Sequence, residues 1–204
     1  CEKVNVDMSK VIFSGVNKTK ADVERAVVDG VGVFTAESYL HLKFINDCAL
    51  AHARTVPVLI RLTGGSQFGM DETDVCKVIE NKDKYAGLDF VGVHYFTGTQ
   101  KKKASVIQKE LAYLENFISS VKEKYDFEFR RVEYGTGLAV DYFNEDANLT
   151  ELERLKEVAP VIRALSEKVD LTIEMGRFFA APCGYYFTKV MDVKTNCGVN
   201  YAIL

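Results

Sequence analysis

Short β-branched and aromatic runs alternate along this chain with longer stretches in which apolar residues return every three or four positions. The first pattern predicts strands and the second predicts amphipathic helices. Val11–Phe13, Val31–Thr35, Val56–Leu62, Phe90–Phe96, Phe129–Tyr134 and Leu171–Ile173 read as six strands. Between them Ala21–Asp29, Ser38–Ala53, Asp71–Glu80, Ala104–Lys124 and Glu151–Lys168 read as helices. The longest, Ala104–Lys124, carries Ile107, Leu111, Leu114, Phe117, Ile118 and Val121 along one face. Gly30 stops the first helix, and Asp71 or Thr73 is placed to cap the third.

Strand and helix alternate strictly, with a period of roughly 30 to 40 residues, which places the chain in the α/β class with parallel strands and right-handed crossovers. A (β/α)8 barrel and a doubly wound sheet both fit that rhythm. Arg61, His94, Thr97–Gln100, Gly135–Gly137 and Glu174–Arg177 all fall at or just past strand ends, the edge at which α/β folds bind ligands. After Arg177 the texture changes. Tyr185–Val193 alternates roughly, and Tyr201–Leu204 follows a Cys-Gly-Val-Asn turn, which reads as the first hairpin of a separate β domain.

With 204 residues, 48% hydrophobic and 27% charged, the chain can build one sizeable core. A net charge of −3 gives no footing for nucleic acid or an anionic membrane. No apolar run approaches the roughly 18 residues that span a bilayer, and no leader peptide is visible. The cysteines, Cys1, Cys48, Cys76, Cys183 and Cys197, are odd in number and form no CxxC pair. Reduced thiols in the cytoplasm are therefore expected, with no zinc site.

The chemistry gathers around Leu171–Phe178, where a short strand ends in Glu174 and turns through Gly176 and Arg177. The turns at Gly98, Gly135 with Gly137, and Gly176 suit a phosphate, because glycine lets backbone amides approach its oxygens. Thr99 and Thr136 could add hydroxyls. Glu174 in a barrel mouth could hold a proton on a ring nitrogen through a charge-assisted hydrogen bond, as pyridoxal phosphate requires. His94, inside the fourth strand, reads either as a core histidine or as a catalytic group. Arg61 reads as a charge partner of Glu174, a partner of a substrate carboxylate, or half of a structural ion pair. The run Lys101–Lys103 reads as a solvated face.

Assembled, these residues resemble the barrel domain of the fold-type III pyridoxal phosphate-dependent decarboxylases, the diaminopimelate, ornithine and arginine decarboxylase group. Ile12–Thr19 is similar to that family's third-strand segment with its Asn-Lys pair. Ser66-Gln67-Phe68-Gly69 is similar to Ser-Lys-Phe-Gly, and Gly92–Gln100 to Gly-x-His-x-His-x-Gly-Ser-Gln. Gly135-Thr136-Gly137 is similar to the triple-glycine phosphate loop, and Glu174-Met175-Gly176-Arg177 to Glu-Pro-Gly-Arg. The resemblance implies a TIM-like (β/α)8 barrel of the alanine racemase and decarboxylase type, represented by strands three to eight. The barrel domain would span residues 1–182, and the start of a C-terminal β domain residues 183–204.

The resemblance also implies roles. Glu174 would pair with the pyridine nitrogen, with His94 beside it as the second catalytic residue. Phe96 would stack on the ring in place of the family's second histidine. Thr99, Gly135, Thr136, Gly137, Gly176 and Arg177 would hold the phosphate of pyridoxal 5'-phosphate. The leading reading is then part of a decarboxylase acting on a basic or otherwise bifunctional amino acid, with the intact protein a homodimer. No residue here matches the lysine that the family links to the cofactor, which sits in a Tyr-Ala-x-Lys-Ala-Asn context on the first barrel strand. The chain alone is therefore expected to be inactive. An arc of six strands leaves two edges, so the fragment is also expected to self-associate. A second reading is a binding or regulatory protein on the same barrel with catalysis lost, for which the departures at Phe96, Gln67 and Thr136 speak. A third, a cofactor-independent barrel enzyme for a sugar phosphate, fits poorly with a carboxylate beside the phosphate turn.

Overall fold

The computed structural model describes residues 2–143 and 147–204. Cys1 lies outside the described residues, and the other four cysteines are free thiols. Six strands lie side by side in chain order: β1 (Ile12–Phe13), β2 (Val33–Ala36), β3 (Val56–Leu62), β4 (Leu88–Phe96), β5 (Arg131–Gly135) and β6 (Asp170–Glu174). All five pairings are parallel. Between them run α1 (Lys20–Val28), α2 (Tyr39–Ala51), α3 (Glu72–Glu80), α4 (Ala104–Tyr125) and α5 (Ala147–Ser166). A doubly wound sheet reverses its strand order at a switch point. This order never reverses, so the arrangement is an arc of a (β/α)8 barrel, six strands of the eight that close one.

Helix ends follow local chemistry. The Ser38 hydroxyl accepts the His41 amide at 3.2 Å at the start of α2, and the Thr19 hydroxyl accepts the Asp22 amide at 3.2 Å at the start of α1. Asp71 occupies the cap position of α3 without a side-chain hydrogen bond. The six apolar residues expected along α4 are the six it buries.

The strands alternate cleanly, and that alternation builds the site. Ile60, Val93, Val132 and Leu171 align in register, as do Leu62, Tyr95, Tyr134 and Ile173. These rows pack with Leu42, Ile45, Val75, Ile107 and Leu114 of the helices. On the opposite face the intervening row reads Arg61, His94, Glu133, Thr172. A row of that composition would be costly in a core. Here it is the inner lining of the arc.

Two sequence expectations change. Lys101 is not part of a solvated face. Its side chain is 9% exposed and pairs with Glu110 at 2.7 Å. Its amide donates to the Gly137 carbonyl at 2.8 Å, and the Ala139 amide donates to the Lys101 carbonyl at 3.2 Å. Lys102 and Lys103 are exposed as expected. The C-terminal hairpin pairs β7 (Asp192–Asn196) with β8 (Val199–Ile203), so the expected strand from Tyr185 begins seven residues late. Tyr185, Tyr186 and Phe187 have no ladder partner and are 87–92% exposed. The turn itself is a two-residue one, with Cys197 at φ 48° and Gly198 at φ 75°.

Candidate functional site

Strands β4, β5 and β6 end in register, which sets Phe96 beside Gly135 and Gly135 beside Glu174. The missing side chain of Gly135 lets its neighbours close over it. A Cβ there would stand 2.4 Å from Phe96 Cδ2 and 3.1 Å from Glu174 Oε2. Gly137 has φ +60°, and a Cβ on it would stand 2.0 Å from the Gly98 carbonyl oxygen. The loops after β4 and β5 therefore touch backbone to backbone. Gly98 and Gly176 instead have nothing within 4 Å of a Cβ position.

The glycine expected in a turn at 176 opens a short helix, α6 (Gly176–Ala180). Arg177 follows it, with Nη1 3.4 Å from the Thr99 hydroxyl. The Thr136 hydroxyl accepts the Leu138 amide at 3.3 Å and so shapes the loop. Phe96, Thr99, Thr136, Gly137, Glu174, Gly176 and Arg177 line one cavity of about 370 Å3, in the size range of small-ligand sites. Leu138, Met175 and Phe178 complete its wall. Another cleft, of about 460 Å3, opens by Met8, Phe13 and Ala26 at the β1 edge, and none of the catalytic or cofactor-binding candidates lines it.

Under the cavity floor lies the polar row. His94 is buried, with Nε2 3.5 Å from Glu174 Oε2, longer than a good hydrogen bond. His94, Glu133 and Glu174 each offer a ligand-type atom within 4.8 Å of the others. Lys18, Arg61 and Arg131 act on the same acids, which disfavours adding a metal cation there. His94 holds the Glu174 carboxyl below the usual carboxylate range. Burial, then the Glu174 charge, pushes Glu133 up to about 8.

Arg61 is paired with Glu37 at 3.1 Å, and its guanidinium lies 5.1 Å from the Phe68 ring centroid. It forms the structural ion pair expected for it, and its charge also lowers the Glu174 carboxyl. The sequence reading missed Glu133 and Glu37, and gave Lys18 of the Asn-Lys pair no role. Glu133 sits two residues before Gly135 in an alternating strand, so strand period alone places it on the His94 side. Lys18 follows Asn17, whose φ of 52° turns the chain inward. Its amide donates to His41 Nε2 at 3.3 Å and its ammonium to the Gly15 carbonyl.

Burial draws the Lys18 amine down to about 8 from 10.5. Below pH 8 the lysine is charged in both folded and unfolded chains, and its burial cost is present in full. Between pH 8 and 10.5 the unfolded chain binds more protons, so stability rises with pH by up to about 3 kcal/mol. Chemical unfolding of Lys18→Met across this range is expected to lack that rise.

Comparisons with known proteins agree with this fold. Residues 2–181 match the family model described as pyridoxal-dependent decarboxylase, pyridoxal binding domain. The L-glutamyl-[BtrI acyl-carrier protein] decarboxylase of Niallia circulans is 27% identical, over 95% of this chain and 50% of its own. The diaminopimelate decarboxylase of Aquifex aeolicus is 24% identical, over 100% of this chain and 51% of its own. Among solved structures, diaminopimelate decarboxylase from M. jannaschii superposes with a TM-score of 0.81 at 24% identity, covering 98% of this chain and 51% of that one. Lysine/ornithine decarboxylase from Vibrio vulnificus, complexed with putrescine, gives 0.79 at 19% identity over 98% of this chain and 53% of its own. The chain spans about half the length of the curated relatives it matches.

Proposed function

Because this chain belongs to the pyridoxal-dependent decarboxylases, as their pyridoxal-binding domain, we propose that its rim cavity takes pyridoxal 5'-phosphate and that the intact protein decarboxylates an amino acid bearing a second amino or carboxyl group. One observation carries the reading: a carboxylate, an aromatic ring and a cradle of glycine amides with an arginine share one cavity of fitting size. Shape also favours it, since a side chain at Gly135 would collide with Phe96 and Glu174, two residues of the cavity wall.

Each residue then has a task. Glu174 accepts the proton-bearing ring nitrogen, and His94 steadies the carboxylate from below. Phe96 supplies an apolar face for stacking without a charge of its own. The amides of Gly135, Thr136, Gly137 and Gly176, with Thr99 and Arg177, hold the phosphate. Arg61, held by Glu37, keeps a positive charge near Glu174 without contacting the cofactor. Bound there, the cofactor would supply an electron sink for decarboxylation, with Glu174 the residue placed to keep its ring nitrogen protonated.

The chain alone turns over no substrate on this reading, because no lysine here matches the family's cofactor-linking position. We divide it at about residue 183, where the parallel arc gives way to the exposed hairpin. The free thiols of the described cysteines support a reducing compartment, the cytoplasm. Among the described residues no helix is long and apolar enough to cross a membrane.

Fluorescence titration with pyridoxal 5'-phosphate tests the site. Saturable binding is expected, and Arg177→Ala is expected to weaken it about 10- to 100-fold, the worth of a charge-assisted contact. Equal affinity in the variant would refute the phosphate assignment. Association is the second expectation, as a homodimer when intact and as self-association of this chain. β1 and β6 each pair on one side only. Sedimentation velocity is expected to show mass rising with concentration, and a monomer throughout would oppose it.

A further inference from the structure

The polar row beneath the cavity holds one acid that the cofactor reading leaves without work. Glu133 is 3% exposed. Among the described residues its Oε2 has no hydrogen-bond partner, and neither does either ring nitrogen of His94. The charged and titratable groups facing it from the neighbouring strands and their loops are Lys18, Glu37, Arg61, His94, Arg131 and Glu174. The cations among them are engaged elsewhere. Arg61 pairs with Glu37 at 3.1 Å, Arg131 turns to Thr172 at 3.1 Å and Asp170 at 3.6 Å, and Lys18 donates to the Gly15 carbonyl. Glu133 and Glu174 place carboxyl oxygens within 4.8 Å of each other. Two ionised carboxylates so close, one of them dry, repel strongly, and a single shared proton relieves that.

Which acid holds the proton follows from surroundings. The Glu174 side chain is 38% exposed and touches His94, whereas Glu133 is buried, with its Oε2 unpartnered among the described residues. We infer that Glu133 stays protonated at neutral pH and directs its O–H at Glu174, so that the pair carries one negative charge, held on Glu174 at the cavity. Glu133 is thereby a positioning residue, fixing the charge and orientation of the acid that meets the ring nitrogen. This deepens the proposed function and rests on it for the role of Glu174. The opposite directions in which the two carboxyls are drawn, Glu133 up and Glu174 down, agree with the geometry.

The experiment uses the 204-residue chain without ligand. Infrared difference spectra between pH 5 and 10 are expected to show a buried protonated-carboxyl stretch at pH 7 that titrates near 8 and is absent in Glu133→Gln. Absence of that band from the native chain at pH 7, or its survival in Glu133→Gln, would overturn the inference. Unfolding gives a second reading. The native chain keeps a proton that the unfolded chain loses above about 4.5, so raising the pH toward 8 favours unfolding. Relative to Glu133→Gln, the native unfolding constant is expected to rise by as much as about tenfold per pH unit in that window. Parallel curves for the two proteins would overturn the inference. Should Glu133→Gln fail to fold, Glu133→Asp serves, with the band expected to shift in frequency and an unmoved band contradicting the assignment. Pyridoxal 5'-phosphate titration separates the two claims. A Glu133 band without cofactor binding sinks the cofactor reading and leaves the shared proton standing, and binding without the band does the reverse.

Discussion

Gly137→Ala is expected to raise the dissociation constant for pyridoxal 5'-phosphate about 100-fold or more. The position combines a left-handed backbone, φ +60°, with a carbonyl oxygen 2.0 Å from where the methyl must go. The backbone term alone costs on the order of 1 kcal/mol. The contact cannot be relieved by a rotamer change, since its partner is the Gly98 main chain. The β4 and β5 loops must separate, which breaks the bond from the Lys101 amide to the Gly137 carbonyl. The amides that would face the phosphate then lose their common geometry. Core packing beneath them is untouched, so far-ultraviolet circular dichroism is expected to stay native while affinity collapses. Unchanged affinity would show that the 135–137 loop does not hold the phosphate.

Glu110→Ala is expected to destabilise the chain by about 3 to 5 kcal/mol, measured by denaturant unfolding at pH 7. Glu110 on α4 accepts from Tyr134 at 2.5 Å, from Thr97 at 2.5 Å and from Lys101 at 2.7 Å. Tyr134 is fully buried and the Lys101 side chain is 9% exposed. Removing the acid leaves a buried ammonium and a buried phenol unpaired, the costly way to break a buried network. Replacing Glu110 by Gln keeps two of the acceptor contacts and is expected to cost less than half as much. Equal losses in the two variants would mean that the negative charge, which both remove, and not the acceptor contacts that Gln keeps, sets the cost.

Much of this was legible in the chain. The β-branched triplets and the 3.6-residue period of α4 fixed element types, because both are local properties. Strand ends collected Phe96, Gly137, Glu174, Gly176 and Arg177, and those residues line one cavity. The choice between barrel and doubly wound sheet was not legible from periodicity, since both share it; only the unreversed strand order decides. Lys101 was misread because a run of three lysines is normally solvated, and its partner Glu110 reveals itself only once α4 docks. Tyr185–Phe187 looked like strand by composition, but a strand needs a neighbour and none is present there among the described residues. Glu133 stood in a strand that already carries arginines, so its charge did not stand out; its importance comes from Glu174 and His94, 41 residues later and 39 earlier, meeting it across the sheet.

The most direct test is a crystal structure of this chain grown with pyridoxal 5'-phosphate. The ring nitrogen is expected within about 2.7–2.9 Å of a Glu174 oxygen, with the phosphate on the amides of residues 135–137 and 176 and on Arg177. A ring turned so that its nitrogen faces away from Glu174, or a phosphate bound elsewhere, would contradict it.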